Sequence, residues 1–567
     1  TSLGGEGGGG GAGRPACSPR IRFLSTPRKT SQTGKDSEIV PSAWKVCSPQ
    51  SIADFSAVGF YFGRQLYRDL QVPVGLIGCY WSGSRIEPWI SEEAFRSSGE
   101  CDMVWILDTL HANGGAPLKT WPKTPRFCAW EKRFFAQSEP GKFAGWQNPA
   151  FDDRKWETVT LPASSPLENR IDGAVLYRKS VEIPKEWTGK DLLLSLGTID
   201  DCDEAWFNGV RVGATGSEIC SHWEVPRRYR VPAGIVRSGR NVVAVRVIDY
   251  TGEGGFTAPA DQLCLKNGAR SLSLAGEWKQ KAEFVSDPAK TGRRPDPISS
   301  RGHDMPSAIF NGMVAPWTVL PVRGVIWYQG ESNASEPERY ATLFPLMIED
   351  WRRQWRNPHL AFLFVQLSSY SRHTPWKRLP EDAWRREAPG SGGGFTLLRE
   401  VQAATLALPD TGMAVSIDVG DQSDIHPQRE EEVGFRLARE ARRVCYGGDA
   451  LSAGPRFRGM RIQGDTAVLE FENVGSGLVS RGPVGGFVVA GADGRMHRAQ
   501  AEIQEGKRIV VRSPEVRAPR VVRYAWNAFP GDANVFTREG LPLGPFRTDS
   551  PFRPGESPAK AFDKKSP

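Results

Sequence analysis

Short continuous runs of apolar residues, each followed by small and polar residues, recur in two separate parts of the chain. The clearest runs span 75–80, 324–328, 360–367 and 413–418. Their lengths are typical of strands that are buried on both faces. Between the runs, apolar residues recur at helical spacing, as in the series Tyr340, Leu343, Phe344, Met347 and Trp351. Buried strands that alternate with amphipathic helices predict an α/β fold with a parallel sheet.

Residues 146–270 show a different pattern, in which short runs rich in β-branched and aromatic residues alternate with turn signals. The run Ala205-Trp-Phe207, for example, is followed by Asn208-Gly209, a dipeptide that strongly indicates a two-residue hairpin. A second stretch of this kind spans 451–550. These patterns predict an all-β structure in both stretches.

The two patterns divide the chain into domains. A chain of 567 residues is too long for one hydrophobic core. Whole domains are tolerated as insertions in exposed loops. The expected order is a Gly-rich disordered tail at 1–19, an α/β domain in two parts at 20–145 and 271–450, a β-sandwich at 146–270 inserted between those parts, a β domain at 451–550 and a disordered tail at 551–567.

Composition and charge narrow the class of protein. The fractions of 39% hydrophobic and 24% charged residues are ordinary for a globular protein. No apolar run reaches the length of about 18 residues that a membrane span needs, and no signal peptide is visible. The net charge is +8. The Arg residues of the chain are scattered beside Asp and Glu, so we predict a solvated surface and no nucleic-acid partner. The nine Cys residues form no Cys-x-x-Cys pair, which argues against zinc and leaves disulfides open.

Small and polar residues follow directly after the predicted strand at 75–80. The segment reads Trp81-Ser-Gly-Ser-Arg-Ile-Glu-Pro-Trp89. Ligands bind at the carboxyl ends of strands in open α/β sheets, and the backbone N–H of Gly83 would donate there to a developing oxyanion. A plain tight turn with packed Trp side chains is the alternative interpretation.

A second polar segment, 327–334, follows the strand at 324–328. Asn333 would supply a side-chain amide donor of the kind that holds a tetrahedral intermediate. Gln329 and Glu331 would shape the pocket and orient Asn333. A polar strand end at the protein surface is the alternative interpretation.

The third polar segment, 421–427, follows the strand at 413–418. His426 would take a proton from a serine and return it to the leaving group. Asp424 would hold the imidazole in the right tautomer and stabilise its cation. Alternatively, Ser423 or Asp424 caps a helix that starts near Pro427.

In this order, the segments resemble a known family, the bacterial sialate O-acetylesterases of the SGNH-hydrolase class. The resemblance covers about 20 to 550. The segments that carry it are FSAVGFYFG at 55–63, VPVGLI at 72–77, WSGSRIEPW at 81–89, GVIWYQGESNA at 324–334, LREVQAA at 398–404, DIHP at 424–427, and FDDRKW at 151–156 with DDCD at 200–203 in the β insert.

The resemblance implies a flavodoxin-like parallel sheet with an inserted galactose-binding-like β-sandwich. It also implies a Ser-His-Asp mechanism without metal or cofactor, in which His426 is the base, Asp424 orients it, and Gly83 and Asn333 donate to the oxyanion. The substrate would be an O-acetylated carbohydrate, 9-O-acetyl sialic acid being the usual one. Members of the family are often exported, so the resemblance implies a periplasmic or extracellular location.

One part of the family pattern is missing from this sequence. The family nucleophile lies in a Gly-Gln-Ser-Asn block shortly before the segment that matches Ile21-Arg-Phe23. Here that place holds GGEGGGGGAGRPACSP, and the surroundings of Ser18 do not match the block. We therefore expect an esterase sequence that lacks its N-terminal block, and we name no nucleophile. A catalytically inactive carbohydrate-binding homologue and an esterase acting on acetylated plant polysaccharide, such as xylan, stay open as alternatives.

Overall fold

The computed structural model describes residues 18–36, 43–116, 123–139, 141–162, 171–219, 221–252, 254–296, 302–371, 383–448 and 453–549. The described residues divide into two compact units. The first lies within Thr1–Gly99 and Gly302–Pro567, and the second lies within Glu100–Arg301. The mixed α/β class is confirmed. The finer domain boundaries stay a prediction, and the two predicted tails fall outside the described residues except at Ser18 and Pro19.

The helices of the described residues occur in both units. They are α1 (Pro49–Ala53), α2 (Ala57–Leu70) and α3 (Glu92–Ser98) in the first unit, α4 (Cys101–Ala112), α5 (Pro125–Phe135) and α6 (Pro288–Thr291) in the second, and α7 (Pro337–Gln354), α8 (Gly394–Ala404) and α9 (Glu430–Tyr446) in the first again.

The strands follow the same order along the chain. The first unit begins with β1 (Ile21–Ser25), β2 (Lys45–Val46) and β3 (Val74–Gly78). The second unit contains β4 (Glu157–Leu161), β5 (Gly173–Ile183), β6 (Leu192–Gly197), β7 (Ile199–Asp200), β8 (Cys202–Phe207), β9 (Val210–Thr215), β10 (Arg227–Val231), β11 (Gly239–Asp249), β12 (Gly255–Phe256), β13 (Leu263–Asn267), β14 (Arg270–Ser273) and β15 (Gly276–Val285). The first unit continues with β16 (Gly324–Trp327), β17 (Ala361–Val365), β18 (Thr411–Ala414), β19 (Arg456–Gln463), β20 (Thr466–Glu472), β21 (Leu478–Ser480), β22 (Phe487–Ala490), β23 (His497–Arg498), β24 (Gln500–Gln504), β25 (Arg508–Arg512), β26 (Val521–Tyr524), β27 (Val535–Thr537) and β28 (Phe546–Arg547).

The parallel strands of the first unit form two separate three-stranded sheets. One has the order β2-β1-β3, in which β1 and β3 are parallel, and the other has the order β16-β17-β18, which is parallel throughout. All four predicted buried runs contain a strand, although β18 ends at Ala414 where the run was expected to continue to 418. A single sheet of the SGNH type stays a prediction, because no ladder joins β3 to β16 within the described residues.

Both sheets contribute to one apolar core together with α2 and α9. The fully buried members of this core include Leu66 on α2, Leu363 and Val365 on β17, and Val433 and Leu437 on α9. The partly buried Val74, Leu76 and Ile326, from the two strands β3 and β16, pack against the same core. The helices α2 and α9 therefore share a core with the edge strands β3 and β16 of the two sheets.

The first turn of α2 is stabilised by a side-chain cap. Ser56 Oγ accepts a hydrogen bond from the N–H of Gly59 at 3.1 Å. We expect Ser56→Ala to lower the free energy of unfolding by about 1 kcal/mol, because that N–H loses its acceptor. Ser56→Asp should lose much less, since a carboxylate also accepts at this position. Urea unfolding of both variants tests this, and equal losses would contradict the capping role.

The second unit is built mainly from two antiparallel sheets. A four-stranded sheet has the order β10-β6-β13-β14, and a six-stranded sheet has the order β4-β15-β5-β11-β8-β9. Leu194 and Leu265 from the first sheet and Val243, Phe207 and Trp278 from the second belong to one buried core. Face-to-face packing of this kind is a β-sandwich.

The predicted Asn-Gly hairpin of the second unit is confirmed. Asn208 and Gly209 connect β8 to β9 with φ values of 50° and 83°, and Phe207 pairs with Val210. Positive φ at both central residues is what a tight hairpin turn of this type requires.

Residues 453–549 add antiparallel sheets to the first unit. Their strand orders are β19-β20-β25-β24, β21-β27 and β23-β22-β26-β28. The seven cysteines within the described residues are free thiols. None of the helices found in the described ranges is long and apolar enough to cross a membrane.

Candidate active site

Hydrogen bonds join the segments that follow β3 and β16. Ser332 Oγ donates to the carbonyl of Gly83 at 3.0 Å, and Gln329 Nε2 donates to the carbonyl of Ser84 at 3.2 Å. The backbone N–H of Ile86 donates to Asn333 Oδ1 at 2.9 Å. These bonds bring the first two predicted polar segments together at the carboxyl ends of their strands.

The side chain of Asn333 is buried and held from both ends. Its Oδ1 accepts a second hydrogen bond, from Gln329 Nε2 at 2.7 Å, which is the orienting contact expected for Gln329. Its Nδ2 donates to Glu87 Oε2 at 3.1 Å. A primary amide nitrogen carries two hydrogens. Among the described residues only Glu87 accepts from Asn333 Nδ2, so its second N–H is left for another acceptor. The amide is therefore oriented before any substrate arrives.

A buried charged network supports Asn333. Glu87 lies within hydrogen-bond distance of Arg85, whose Nη2 also contacts Glu336 Oε2 at 2.8 Å. Burial by itself raises the pKa of Glu87. Arg85, Arg339 and the hydrogen bond from Asn333 together have the larger, opposite effect and lower the pKa to about 2. Glu87 is therefore a carboxylate at neutral pH. It accepts from Asn333 and fixes which way the amide points.

The sequence reasoning did not find this network. Arg85 and Glu87 were assigned no role, although two charged residues among Ile86, Pro88 and Trp89 are an unusual pattern. Lys, Arg, Asp and Glu are almost never buried unless they are paired. A charged residue in an otherwise apolar stretch was the available signal for an internal ion pair.

Gly83 lies in an exposed turn with φ +73°, in the left-handed region. A Cβ at this position would meet no atom within 4 Å, so the requirement for glycine is conformational and not one of space. Its carbonyl accepts from Ser332, while its N–H donates to none of the described residues. The backbone donor of Gly83 is thus available to a ligand.

The structure places His426 near the second polar segment. Burial raises the pKa of Glu331. The imidazole of His426 is close enough to oppose this effect and to lower the pKa of the Glu331 carboxyl. This interaction connects the third predicted segment with the second. Asn333 lies two residues beyond Glu331 on the same short 3₁₀ turn.

The side chains of His426 and Asp424 contact each other in an irregular loop. The imidazole Nδ1 lies 3.3 Å from Asp424 Oδ1, and the same oxygen accepts the backbone N–H of His426 at 2.8 Å. Their side chains are 58% and 49% exposed, so water screens this pair in the absence of a ligand. The alternative that Ser423 or Asp424 caps a helix near Pro427 is wrong, because α9 begins at Glu430.

Arg436 on α9 binds the start of the loop that contains Asp424 and His426. Its guanidinium binds the carboxylate of Asp418 at 2.6 and 2.8 Å and the carbonyl of Val415 at 2.7 Å. Further along, the carbonyl of Gln422 accepts the N–H of Ser371, which follows β17. The loop is therefore anchored to the core of the first unit and to the end of the neighbouring strand.

Two buried side chains of α8 connect the strand ends to one another. Gln402 accepts from the N–H of Leu367 at 2.9 Å and donates to the carbonyl of Gln329 at 3.3 Å. Arg399 donates to the carbonyls of Leu367 and Ser368, and burial lowers its pKa to about 9. The sequence reasoning had assigned no role to either residue.

The structure also bears on the position of a serine. Ser18 lies at the amino end of β1, whereas the three polar segments follow the carboxyl ends of strands. A five-residue strand is about 16 Å long, so Ser18 is at the wrong edge of its sheet to attack an acyl group held by Asn333. The hydroxyls of Ser84 and Ser332 donate to the carbonyls of Trp81 and Gly83.

Comparison with known families finds a match in the part of the chain that contains Asn333 and His426. Residues 304–441 match the family model described as a carbohydrate esterase, sialic acid-specific acetylesterase. This stretch contains β16 to β18 together with Asn333, Asp424 and His426. The chain is sialate O-acetylesterase-like.

Curated relatives match a similar share of the chain. The sialate O-acetylesterase of Mus musculus is 34% identical over 154 residues, which cover 25% of this chain and 27% of the mouse protein. The sialate O-acetylesterase of Homo sapiens is 32% identical over 162 residues, which cover 26% of this chain and 29% of the human protein. The matched part of this chain thus spans between a quarter and a third of these hydrolases.

A solved structure extends the likeness in fold. A carbohydrate acetylesterase from Xanthomonas citri has a TM-score of 0.53 and 24% sequence identity, over 94% of this chain and 74% of that chain. At this identity the likeness shows the mixed α/β fold alone.

Proposed function

We propose that this chain forms most of a serine-type carbohydrate esterase that removes O-acetyl groups from sialic acid or a related acetylated sugar. The observation that carries the proposal is the pre-oriented Asn333 amide, whose segment is joined to Gly83 through Ser332 and contains Glu331, which interacts with His426. In the proposed site, two hydrogen-bond donors and an imidazole suit acyl transfer, because both charges that develop during the reaction then have a partner.

Each residue has a specific part in this mechanism. The imidazole of His426 takes the proton of the attacking serine and returns it to the departing sugar oxygen. Asp424, which lies 3.3 Å from Nδ1, favours the tautomer with a free Nε2 and stabilises the imidazolium. The N–H of Gly83 and the remaining N–H of Asn333 bind the oxyanion of the tetrahedral intermediate.

We propose that the serine arrives on a strand that lies outside the described residues and fits between β3 and β16. Each of these strands is the last strand of its sheet, and both pack on the same α2 and α9 core. A parallel strand in that position would join the two sheets into one sheet of the SGNH type. Its carboxyl end would lie beside Gly83 and Asn333, where the nucleophile is needed.

The burial of the edge strands supports this position. Val74, Leu76 and Ile326 are only partly buried, whereas all five residues of β17 are buried. A sheet edge exposes unpaired N–H and C=O groups and favours the addition of another strand. A strand with apolar side chains on both faces would cover these residues and satisfy both edges.

For the second unit, we propose a galactose-binding-like β-sandwich inserted into the esterase domain. The two antiparallel sheets around one core support this assignment. In this proposal the sandwich contributes to carbohydrate binding, while the residues of the first unit carry the chemistry.

The esterase proposal is tested with His426. In a chain extended ahead of Thr1 by an apolar strand ending in Gly-Gln-Ser-Asn, we expect His426→Ala to lower kcat for p-nitrophenyl acetate by about 10²–10⁴-fold, because the serine loses its base. In the unextended chain, wild type and His426→Ala should hydrolyse the ester at the same rate.

His359→Ala is the matched control, since His359 also pairs with an aspartate, Asp410, but lies just ahead of β17, at the opposite end of that strand from the site. Its rate should equal that of the extended wild-type chain. If the extended chain folds and shows no dependence on His426, the esterase proposal is wrong and a non-catalytic carbohydrate-binding protein is the better assignment.

A further inference from the structure

Arg28 is an exposed cation in the loop that follows β1. Its Cζ lies 5.9 Å from the centre of the Trp81 ring, which is a cation–π contact. Within the described residues its guanidinium makes no hydrogen bond and no ion pair. Trp81 follows β3 and stands two residues before Gly83. Arg28 therefore contacts the segment that contains Gly83.

A second basic side chain meets the same indole. The His303 ring stacks on Trp81 with the centroids 4.9 Å apart and an angle of 17° between the planes. The imidazole also lies 3.5 Å from Asp304, which balances its charge when it is protonated. Trp81 thus joins the loop of Arg28 to the segment of His303.

Backbone contacts hold these segments in place. The N–H of Thr26 donates to the carbonyl of Gly78 at 2.8 Å, which ties the Arg28 loop to the end of β3. The N–H of Ser31 donates to the carbonyl of Ala308 at 3.0 Å. The loop that contains Arg28 is therefore held by backbone hydrogen bonds on both sides of this residue.

Three other cations of the first unit have carboxylate partners. Lys29 pairs with Asp36 at 2.5 Å, and Lys35 pairs with Glu93 at 2.8 Å. Arg85 is occupied by two buried glutamates, as described above. Arg28 differs because its side chain is exposed and no carboxylate of the described residues pairs with it.

We infer that Arg28 determines substrate specificity by binding the carboxylate of an acidic sugar. This inference rests on the proposed esterase function and deepens it. A guanidinium binds a carboxylate through two parallel N–H···O bonds, and the contact with Trp81 limits the positions of Arg28 before the sugar binds. A neutral acetylated sugar, such as a xylan fragment, offers no group for this cation.

The inference is tested by binding, which needs no turnover. Calorimetric titration of the full chain with sodium N-acetylneuraminate and with its methyl ester compares a sugar with and without the carboxylate charge. We expect the wild type to bind the acid about 10-fold more tightly than the ester, as one charge-assisted contact provides. Arg28→Gln should abolish the preference, and Arg28→Lys should retain part of it.

Arg22→Gln is the matched control, because Arg22 is an exposed residue of the neighbouring strand β1 and the substitution removes the same charge. It should keep the full preference for the acid. Equal binding of acid and ester by the wild type, no binding of the acid, or equal effects of the Arg28 and Arg22 substitutions would overturn the inference.

The result is separable from the test of the esterase itself. If the wild type does not prefer the acid over the ester but hydrolysis still depends on His426, only the role of Arg28 is wrong. A preserved preference without His426-dependent hydrolysis would instead show an acidic-sugar site on a protein that is not an esterase.

Discussion

Replacing Asn333 by Ala is expected to lower kcat/KM for acetyl-ester hydrolysis about 10²–10³-fold in the chain extended with the serine strand. In the proposed mechanism, the variant loses the side-chain N–H that faces the oxyanion in the transition state. The amide is buried, and its orientation is set by Glu87, Gln329 and Ile86. A pre-oriented donor stabilises the transition state without reorganising, so its loss should appear mainly in kcat.

Two comparisons make this result specific. Gln329→Ala removes one of the two donors to Asn333 Oδ1 and should give a smaller loss of rate, because the amide keeps its bonds to Ile86 and Glu87. Thermal unfolding of each variant, measured in parallel, separates a catalytic loss from a folding defect. A folded Asn333→Ala variant with an unchanged rate would exclude Asn333 from the oxyanion site.

The second large effect concerns stability. Replacing Arg85 by Met is expected to lower the free energy of unfolding by about 3–5 kcal/mol, because Glu87 and Glu336 then lose a buried cationic partner. Arg96→Met is the control. Arg96 forms an i, i+4 pair with Glu92 on the surface of α3, and exposed pairs of this kind contribute about 1 kcal/mol or less. Urea unfolding measures both variants.

The effect of Arg85→Met should depend on pH in a defined direction. In the wild type the pKa of Glu87 is lowered from 4.5 to about 2, so this carboxylate contributes stability that is fully present above pH 4.5 and is lost as the pH falls towards 2. In the Arg85→Met variant the pKa of Glu87 rises, and the contribution of its carboxylate to stability becomes smaller. The difference in unfolding free energy between wild type and variant should therefore narrow between about pH 6 and about pH 3. A constant difference over that range would contradict the assigned pairing.

Local patterns in the sequence determined much of the secondary structure. Continuous apolar runs identified β3, β16, β17 and β18, and the Asn208-Gly209 turn identified the hairpin between β8 and β9. These features depend on neighbours a few residues apart, so the physics that decides them is visible in a short window. The same holds for Gly83 and Asn333, whose segments follow β3 and β16 closely, whereas His426 lies in a loop well beyond the end of β18 at Ala414.

Contacts between distant parts of the chain were decided only by the tertiary structure. Glu87 and Asn333 are 246 positions apart, yet one hydrogen bond between them sets the direction of the amide. No local pattern encodes which buried carboxylate will meet which amide. Strand order is equally non-local, because only the fold puts Ser18 at the amino end of its sheet and leaves β3 and β16 as the last strands of two sheets. The sequence by itself determined which residue types stand at the strand ends, and the packing of α2, α7, α8 and α9 decided which of them are buried and paired.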